Sequence, residues 1–163
     1  MYDTVIGLSR LEQVYSGRPA ARALLEEVER LGAKRVFLVC SGTLRRTTDE
    51  VTRIERALGP RVAGVFDGIR AHVPREDVAA AALAARAVEP DLLVSFGGGS
   101  VTDATKILAL CLRHGIYDAG AFEAFHVVVN PDRTLTLPSF EPPDIPVVLI
   151  PTTLSGGEFN PLS

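Results

Sequence analysis

Leu92-Leu-Val-Ser-Phe-Gly-Gly-Gly-Ser-Val-Thr-Asp-Ala-Thr-Lys106 is the stretch on which the fold turns. Asp91 to Phe96 reads as a strand, Gly97, Gly98 and Gly99 as a tight turn, and Ser100 to Leu112 as a helix. Val101, Ala104, Ile107, Leu108 and Cys111 recur at the spacing of one buried helical face. A strand that runs through glycines straight into a helix leaves unpaired N–H groups at the helix N-terminus. At the carboxyl edge of a parallel sheet, such groups stabilise an anion such as a pyrophosphate. Glycine permits positive φ and lets a phosphate approach the backbone closely. Ser100 reads equally as a helix cap and as a hydroxyl donor to phosphate. Asp103 reads as a first-turn acid favoured by the helix dipole, and Lys106 as a solvated helix residue. The spacing is neither GxGxxG nor GxxxxGK[ST], so alone it fits a phosphate cradle and a capped turn alike.

On either side of this stretch, helices and strands alternate. Arg18 to Leu31 carries Ala21, Leu24, Leu25, Val28 and Leu31 at helical spacing and stops at Gly32. Arg35 to Cys40 is continuously apolar, as suits a parallel strand covered on both faces. Thr47 to Leu58 reads as a helix ended by Gly59-Pro60, Arg61 to Phe66 as a strand, and Pro74 to Val88 as an alanine-rich helix. After Gly115 the pattern changes. His126 to Val129 and Thr134 to Leu137 flank Asn130-Pro-Asp-Arg133 as a β-hairpin. Pro138 to Pro146 is a connector, and Pro146 to Ile150 a further buried strand. This order predicts an α/β domain, Rossmann-like, with a mainly parallel sheet, helices on both faces and right-handed crossovers, plus the short hairpin.

The 163 residues suit one domain, and 47% hydrophobic against 23% charged residues supports a buried core. A net charge of -3 without a basic stripe argues against nucleic acid as partner. No apolar run is long enough to span a membrane, and Met1 to Leu8 lacks the order of a signal peptide, so a reducing cytoplasm is expected. Cys40 and Cys111 fall at a strand end and in a helix and read as core-filling thiols.

A second loop completes the pattern. Ile150-Pro-Thr-Thr-Leu-Ser-Gly-Gly-Glu158 again follows a buried strand. Thr152, Thr153 and Ser155 offer hydroxyls, and both loops should face one crevice at the same sheet edge. Taken alone it could be an ordinary polar loop. Two such loops after two buried strands favour a nucleotide site.

Together, Gly97-Gly98-Gly99-Ser100-Val-Thr-Asp103-Ala-Thr-Lys106 and Pro151-Thr152-Thr153-Leu-Ser-Gly-Gly-Glu158 resemble the GGGSxxDxxK and PTTxxGSE segments of the iron-containing alcohol dehydrogenase superfamily. The resemblance extends to Val14-Tyr-Ser-Gly17 and the strand Arg35 to Cys40, and so spans nearly the whole chain. The length of the Thr153 to Glu158 loop is similar to that of the maleylacetate reductase branch. So is Phe66-Asp-Gly-Ile-Arg-Ala-His72-Val-Pro74, where alcohol dehydrogenases usually carry Asn-Pro. Asp103 points back to the alcohol dehydrogenases, and Gly157 stands where a serine is usual.

The resemblance implies a dinucleotide, NAD or NADP, as cofactor. It assigns Gly98, Gly99 and Ser100 to the pyrophosphate, Asp103 to the cofactor's vicinity, and Thr152 and Thr153 to the phosphate and nicotinamide ribose, with Gly97 and Ser155 beside them in the cofactor site. It brings His72 into the cofactor site. It makes Ser41, after the first strand, the position that sets NAD or NADP preference, with Arg45 and Arg46 just beyond. It further implies a small alcohol or carbonyl substrate, a homo-oligomer, and Fe2+ or Zn2+ held only by a helical second domain that residues 1–163 do not contain. His72, His114 and His126 lack the spacing of metal ligands on a helix. Two other expectations stay open: a non-catalytic nucleotide-binding module, and an NAD-using enzyme of the dehydroquinate synthase type.

Overall fold

The computed structural model describes residues 11–136 and 138–159; Met1 to Leu8, and Leu137 at the end of the second hairpin segment, lie outside the described residues. Helix α1 (Ala20–Leu31) leads to β1 (Val36–Cys40), followed by α2 (Gly42–Thr47), α3 (Glu50–Leu58) and β2 (Val62–Phe66). Then come α4 (Arg75–Val88), β3 (Leu92–Gly97), α5 (Gly99–His114), a 3₁₀ turn at Gly120–Phe125, the hairpin β4 (Val128–Val129) and β5 (Leu135–Thr136), and β6 (Val147–Pro151). Four parallel strands form one sheet in the order β2-β1-β3-β6, and β4 pairs antiparallel with β5. No helix among the described residues is long and apolar enough to cross a membrane.

The two central strands are buried along their whole length. Alternate side chains serve opposite cores. Val36, Leu38 and Cys40 of β1, with Leu92, Val94 and Phe96 of β3, pack with Leu24 and Val28 of α1 and with Val51, Ile54 and Leu58 of α3. Phe37, Val39 and Leu93 face α4 and α5, meeting Val78, Ala82, Ala85, Val101, Ala104 and Leu108. Continuous apolarity in β1 is therefore what two covered faces require. The alanines of α4 let that helix lie close to its neighbours.

Several boundaries differ from the sequence expectation, each for a local reason. The helix expected over Thr47 to Leu58 is two helices. Ser41 accepts a hydrogen bond from the Leu44 amide through its Oγ (3.4 Å) and starts α2 directly after β1, while Thr48 in extended conformation separates it from α3. Helix α5 begins at Gly99 with Gly98 as its cap residue, so Ser100 sits inside the first turn and does not cap the helix. The helix ends as glycine caps dictate: Gly32 (φ 67°) and Gly115 (φ 68°) adopt the left-handed conformation, and the Ala33 and Ile116 amides reach back to Val28 and Cys111.

Candidate functional site

Strand β1 passes to β2 on one side and has β3 on the other, so the chain reverses its direction of travel across the sheet between β1 and β3. At such a switch point the loops after the two strands diverge to opposite faces and open a crevice at the carboxyl edge. The loop after β1 is Ser41-Gly42; the loop after β3 is the glycine turn. A bond from the Ser41 amide to the Phe96 carbonyl (2.9 Å) joins the two loops at their roots.

The three glycines divide their work. All have ordinary negative or extended φ, and none needs the left-handed freedom expected of the turn. What they supply is space. A β-carbon on Gly97 would lie 2.7 Å from Val101 Cγ2, so a bare Cα is required where β3 meets α5. One on Gly98 would lie 3.2 Å from Thr153 Cγ2 and Oγ1, and one on Gly99 3.2 Å from Ser155 Cβ and Oγ. The second loop therefore lies directly against the first. Its start is fixed by the Thr152 amide, which donates to the Gly97 carbonyl at 2.9 Å. Its end is fixed by Lys106, whose Nζ donates to the Gly157 carbonyl at 3.1 Å and pairs with Asp103 Oδ1 at 3.2 Å. Between these anchors Thr153, Leu154 and Ser155 are exposed.

A recess of about 250 Å³ opens beside β1, lined by Ser41, Gly42, Thr43, Arg46, Asp67, Gly68, Ile69 and Arg70. Gly42 has no room for a side chain: a β-carbon there would stand 2.8 Å from the Asp67 carbonyl oxygen and 2.9 Å from Arg46 Nη1. The two arginines after Ser41 go different ways. Arg45 lies 3.7 Å from both Glu55 and Asp67 carboxylates, whereas Arg46 turns to the recess. Arg70 is held by Asp77, which accepts from its amide (2.9 Å) and its guanidinium (2.8 Å). That contact keeps the Asp77 carboxyl below its usual range.

Ser41, Gly97, Gly98, Gly99, Ser100, Asp103, Thr152, Thr153 and Ser155 thus fall at the carboxyl edge of β1, β3 and β6. His72 is exposed on the loop between β2 and α4. It does not line the recess, to which that loop contributes Asp67 to Arg70. His72 and Val73 both have positive φ, 64° and 53°. A β-branched residue in that region is strained, and strain of this kind gathers at ligand-facing loops. Sequence reasoning missed the roles of Gly42, Arg70 and Lys106. Gly42 left a signal, a glycine right after a strand and capping serine, and Lys106 left another as the last residue of the GGGSxxDxxK segment.

The family model for iron-containing alcohol dehydrogenase matches residues 12–163. Dehydrogenase ALT3 from Alternaria alternata is 35% identical over 130 residues, which are 79% of this chain and 32% of that protein. Maleylacetate reductase 1 from Cupriavidus pinatubonensis is 30% identical over 148 residues, 91% of this chain and 32% of its own length. Among solved structures, the iron-containing alcohol dehydrogenase of Thermococcus thioreducens superposes with a TM-score of 0.65 at 26% identity, covering 84% of this chain and 34% of that one. The chain spans about a third of the length of the curated relatives it matches. With the glycine turn and the threonine loop joined on one sheet edge and the family match running from residue 12 to residue 163, the chain belongs to the iron-containing alcohol dehydrogenase family.

Proposed function

We propose that this chain forms the dinucleotide-binding part of an NAD(P)-dependent oxidoreductase acting on a small alcohol or carbonyl compound. The observation that carries the reading is the β1–β3 switch point, where the glycine turn opens α5 at the carboxyl edge of the sheet and the Thr153–Ser155 loop packs against that turn. That arrangement fits a pyrophosphate. Helix N-terminal amides and small hydroxyl side chains stabilise an anion without a countercharge, and the bare Cα atoms of Gly98 and Gly99 let Thr153 and Ser155 bring their hydroxyls beside those amides.

In this reading the amides of Gly99 and Ser100, with the Thr153 and Ser155 hydroxyls, hold the pyrophosphate. Asp103 and Thr152 line the nicotinamide side, and Ser41 and Arg46 receive the adenosine ribose. A bound dinucleotide supplies hydride exchange with the substrate carbon. The protein's part is to fix that cofactor's orientation against the sheet edge. Among the described residues no group of three or more His, Cys, Asp or Glu side chains could hold a metal ion. A metal centre therefore does not fit these residues, and no step is assigned to one. Cofactor choice belongs to the same proposal. Ser41 carries no charge to repel a 2′-phosphate and Arg46 lines the same recess, so NADP(H) should bind at least as well as NAD(H).

Fluorescence titration of the chain with NADH and NADPH tests the reading. Saturable binding that ADP-ribose competes away supports it. Absence of binding to either cofactor overturns it.

A further inference from the structure

We propose that Lys106 is a positioning residue that staples the Pro151–Phe159 loop onto helix α5 and thereby sets dinucleotide affinity by acting through that loop. The inference rests on the dinucleotide reading above and adds a residue to its machinery. Lys106 lies two turns into α5, at a position that reads from sequence as a solvated surface lysine. Its side chain is only 19% exposed. The ammonium bridges two groups at once: the Asp103 carboxylate on its own helix and the Gly157 carbonyl on the second loop. The second of these bonds joins helix to loop across 51 residues of sequence, a contact that a solvated lysine does not make.

The consequence follows from where the loop is otherwise held. From the β6 side its last ladder bond is that of the Thr152 amide. Beyond it the chain runs exposed through Leu154, and the Gly156 backbone is left-handed. The Gly157 amide donates to Ser155 Oγ, a bond internal to the loop. Lys106 closes the far end, and a loop pinned at both ends keeps Thr153 and Ser155 against Gly98 and Gly99. Ordering that segment before a ligand arrives removes an entropic cost from binding. The same ammonium pairs with the Asp103 carboxylate, which lies 3.4 Å from where a β-carbon on Gly157 would stand, so the ion pair on the helix backs the bond to the loop.

The test uses K106M, which keeps the apolar stem and loses the donor, and K106R, which keeps charge and donor. Amide hydrogen exchange across Leu154–Gly157 reads the staple without ligand, and NADH and NADPH titrations read its effect. In K106M the loop exchanges faster, and both cofactors weaken by a common factor of about tenfold, the lower end of a charge-assisted hydrogen bond. K106R stays within about twofold of the unsubstituted chain, because it keeps the positive charge and has N–H donors enough for both acceptors. Unchanged loop exchange in K106M overturns the staple. Faster exchange with unchanged affinity, or K106R behaving like K106M, overturns the positioning role. No cofactor binding by the unsubstituted chain overturns the dinucleotide reading and the affinity half of this inference with it, while the exchange data still judge the staple.

Discussion

Gly97 and Val101 stand so close that a β-carbon on the glycine would lie 2.7 Å from the valine Cγ2 and 2.8 Å from its Cβ. Strand β3 and helix α5 are pressed together at the point where the chain turns from one into the other. This glycine therefore serves packing, whatever its neighbours do for a ligand. G97A should destabilise the fold by about 2 kcal/mol, the usual cost of overpacking a filled core. Urea denaturation of G97A, V101A and the double variant checks this. The double variant should lose less than the sum of the two single losses, because V101A removes the two Cγ contacts and leaves only that with the Cβ of residue 101. Additive losses would mean that the two residues are not coupled.

Gly98 makes a different demand. Its hypothetical β-carbon meets the exposed Thr153 side chain on the second loop at 3.2 Å, a contact that a small shift of that side chain relieves. G98V should therefore fold nearly as well as the native chain and bind dinucleotide at least tenfold more weakly, since the displaced Thr153 takes one wall of the crevice with it. Calorimetric titration of folded G98V with NADPH measures this. Unchanged affinity would remove the glycine turn from the site.

These two glycines show what the sequence could and could not convey. Strand, glycine turn and helix are local features, readable from Leu92 to Lys106 without any partner, and so the mainly parallel sheet with its helices was legible. Why each glycine is a glycine depends on atoms distant in sequence. Positive φ was the obvious guess and none of the three turn glycines uses it; the constraint comes from Val101, Thr153 and Ser155. Lys106 looked solvated because the Gly157 carbonyl that receives it lies 51 residues further on. The recess beside β1 was likewise hidden. Asp67 and Arg70 reach it only because β2 pairs with β1, a matter of strand order that periodicity does not encode.

Asp77 links the recess to pH. The Arg70 guanidinium, chiefly through its hydrogen bonds, holds the Asp77 carboxyl below the usual carboxylate range. A lowered native value means that the ion pair contributes fully above the unfolded-state pKa and is lost as pH falls through the lower, folded-state value. D77N should thus be less stable than the native chain at neutral pH. Its melting temperature should also fall less steeply as the solution is acidified. Thermal melts of both proteins from neutral to acidic pH decide the matter, and parallel curves would deny Asp77 any pH-linked role.

Cys40 and Cys111 are both free, and burial pushes their thiols up to about 11 and about 12. Since the thiolate is the reactive form, neither should react with a chromogenic disulfide reagent at neutral pH while the chain is folded. Two equivalents should react in denaturant, and in native buffer the slow rate should track unfolding. Rapid labelling of one thiol in the folded protein would show that its core opens without global unfolding.

Cofactor choice is the sharpest test of the recess. Ser41 caps α2 through its hydroxyl, and aspartate caps helices equally well, so S41D keeps the local fold while adding a charge. That carboxylate would repel a 2′-phosphate and accept hydrogen bonds from a free ribose hydroxyl. In the native chain Arg46 is the arginine placed to meet a 2′-phosphate, because Arg45 already faces the Glu55 and Asp67 carboxylates. An exposed arginine–phosphate contact contributes about 1 kcal/mol after solvent screening, which corresponds to a preference for NADPH of about fivefold. Salt should erode that preference, since exposed charges are screened within about 10 Å at 0.1 M ionic strength. S41D should reverse it, and R46A should abolish it without favouring NADH. Paired NADH and NADPH titrations at low and high salt on all three proteins measure these shifts. A salt-insensitive preference of the native chain for NADH would take Arg46 out of the recess's function and leave the pyrophosphate wall, which rests on other residues, untouched.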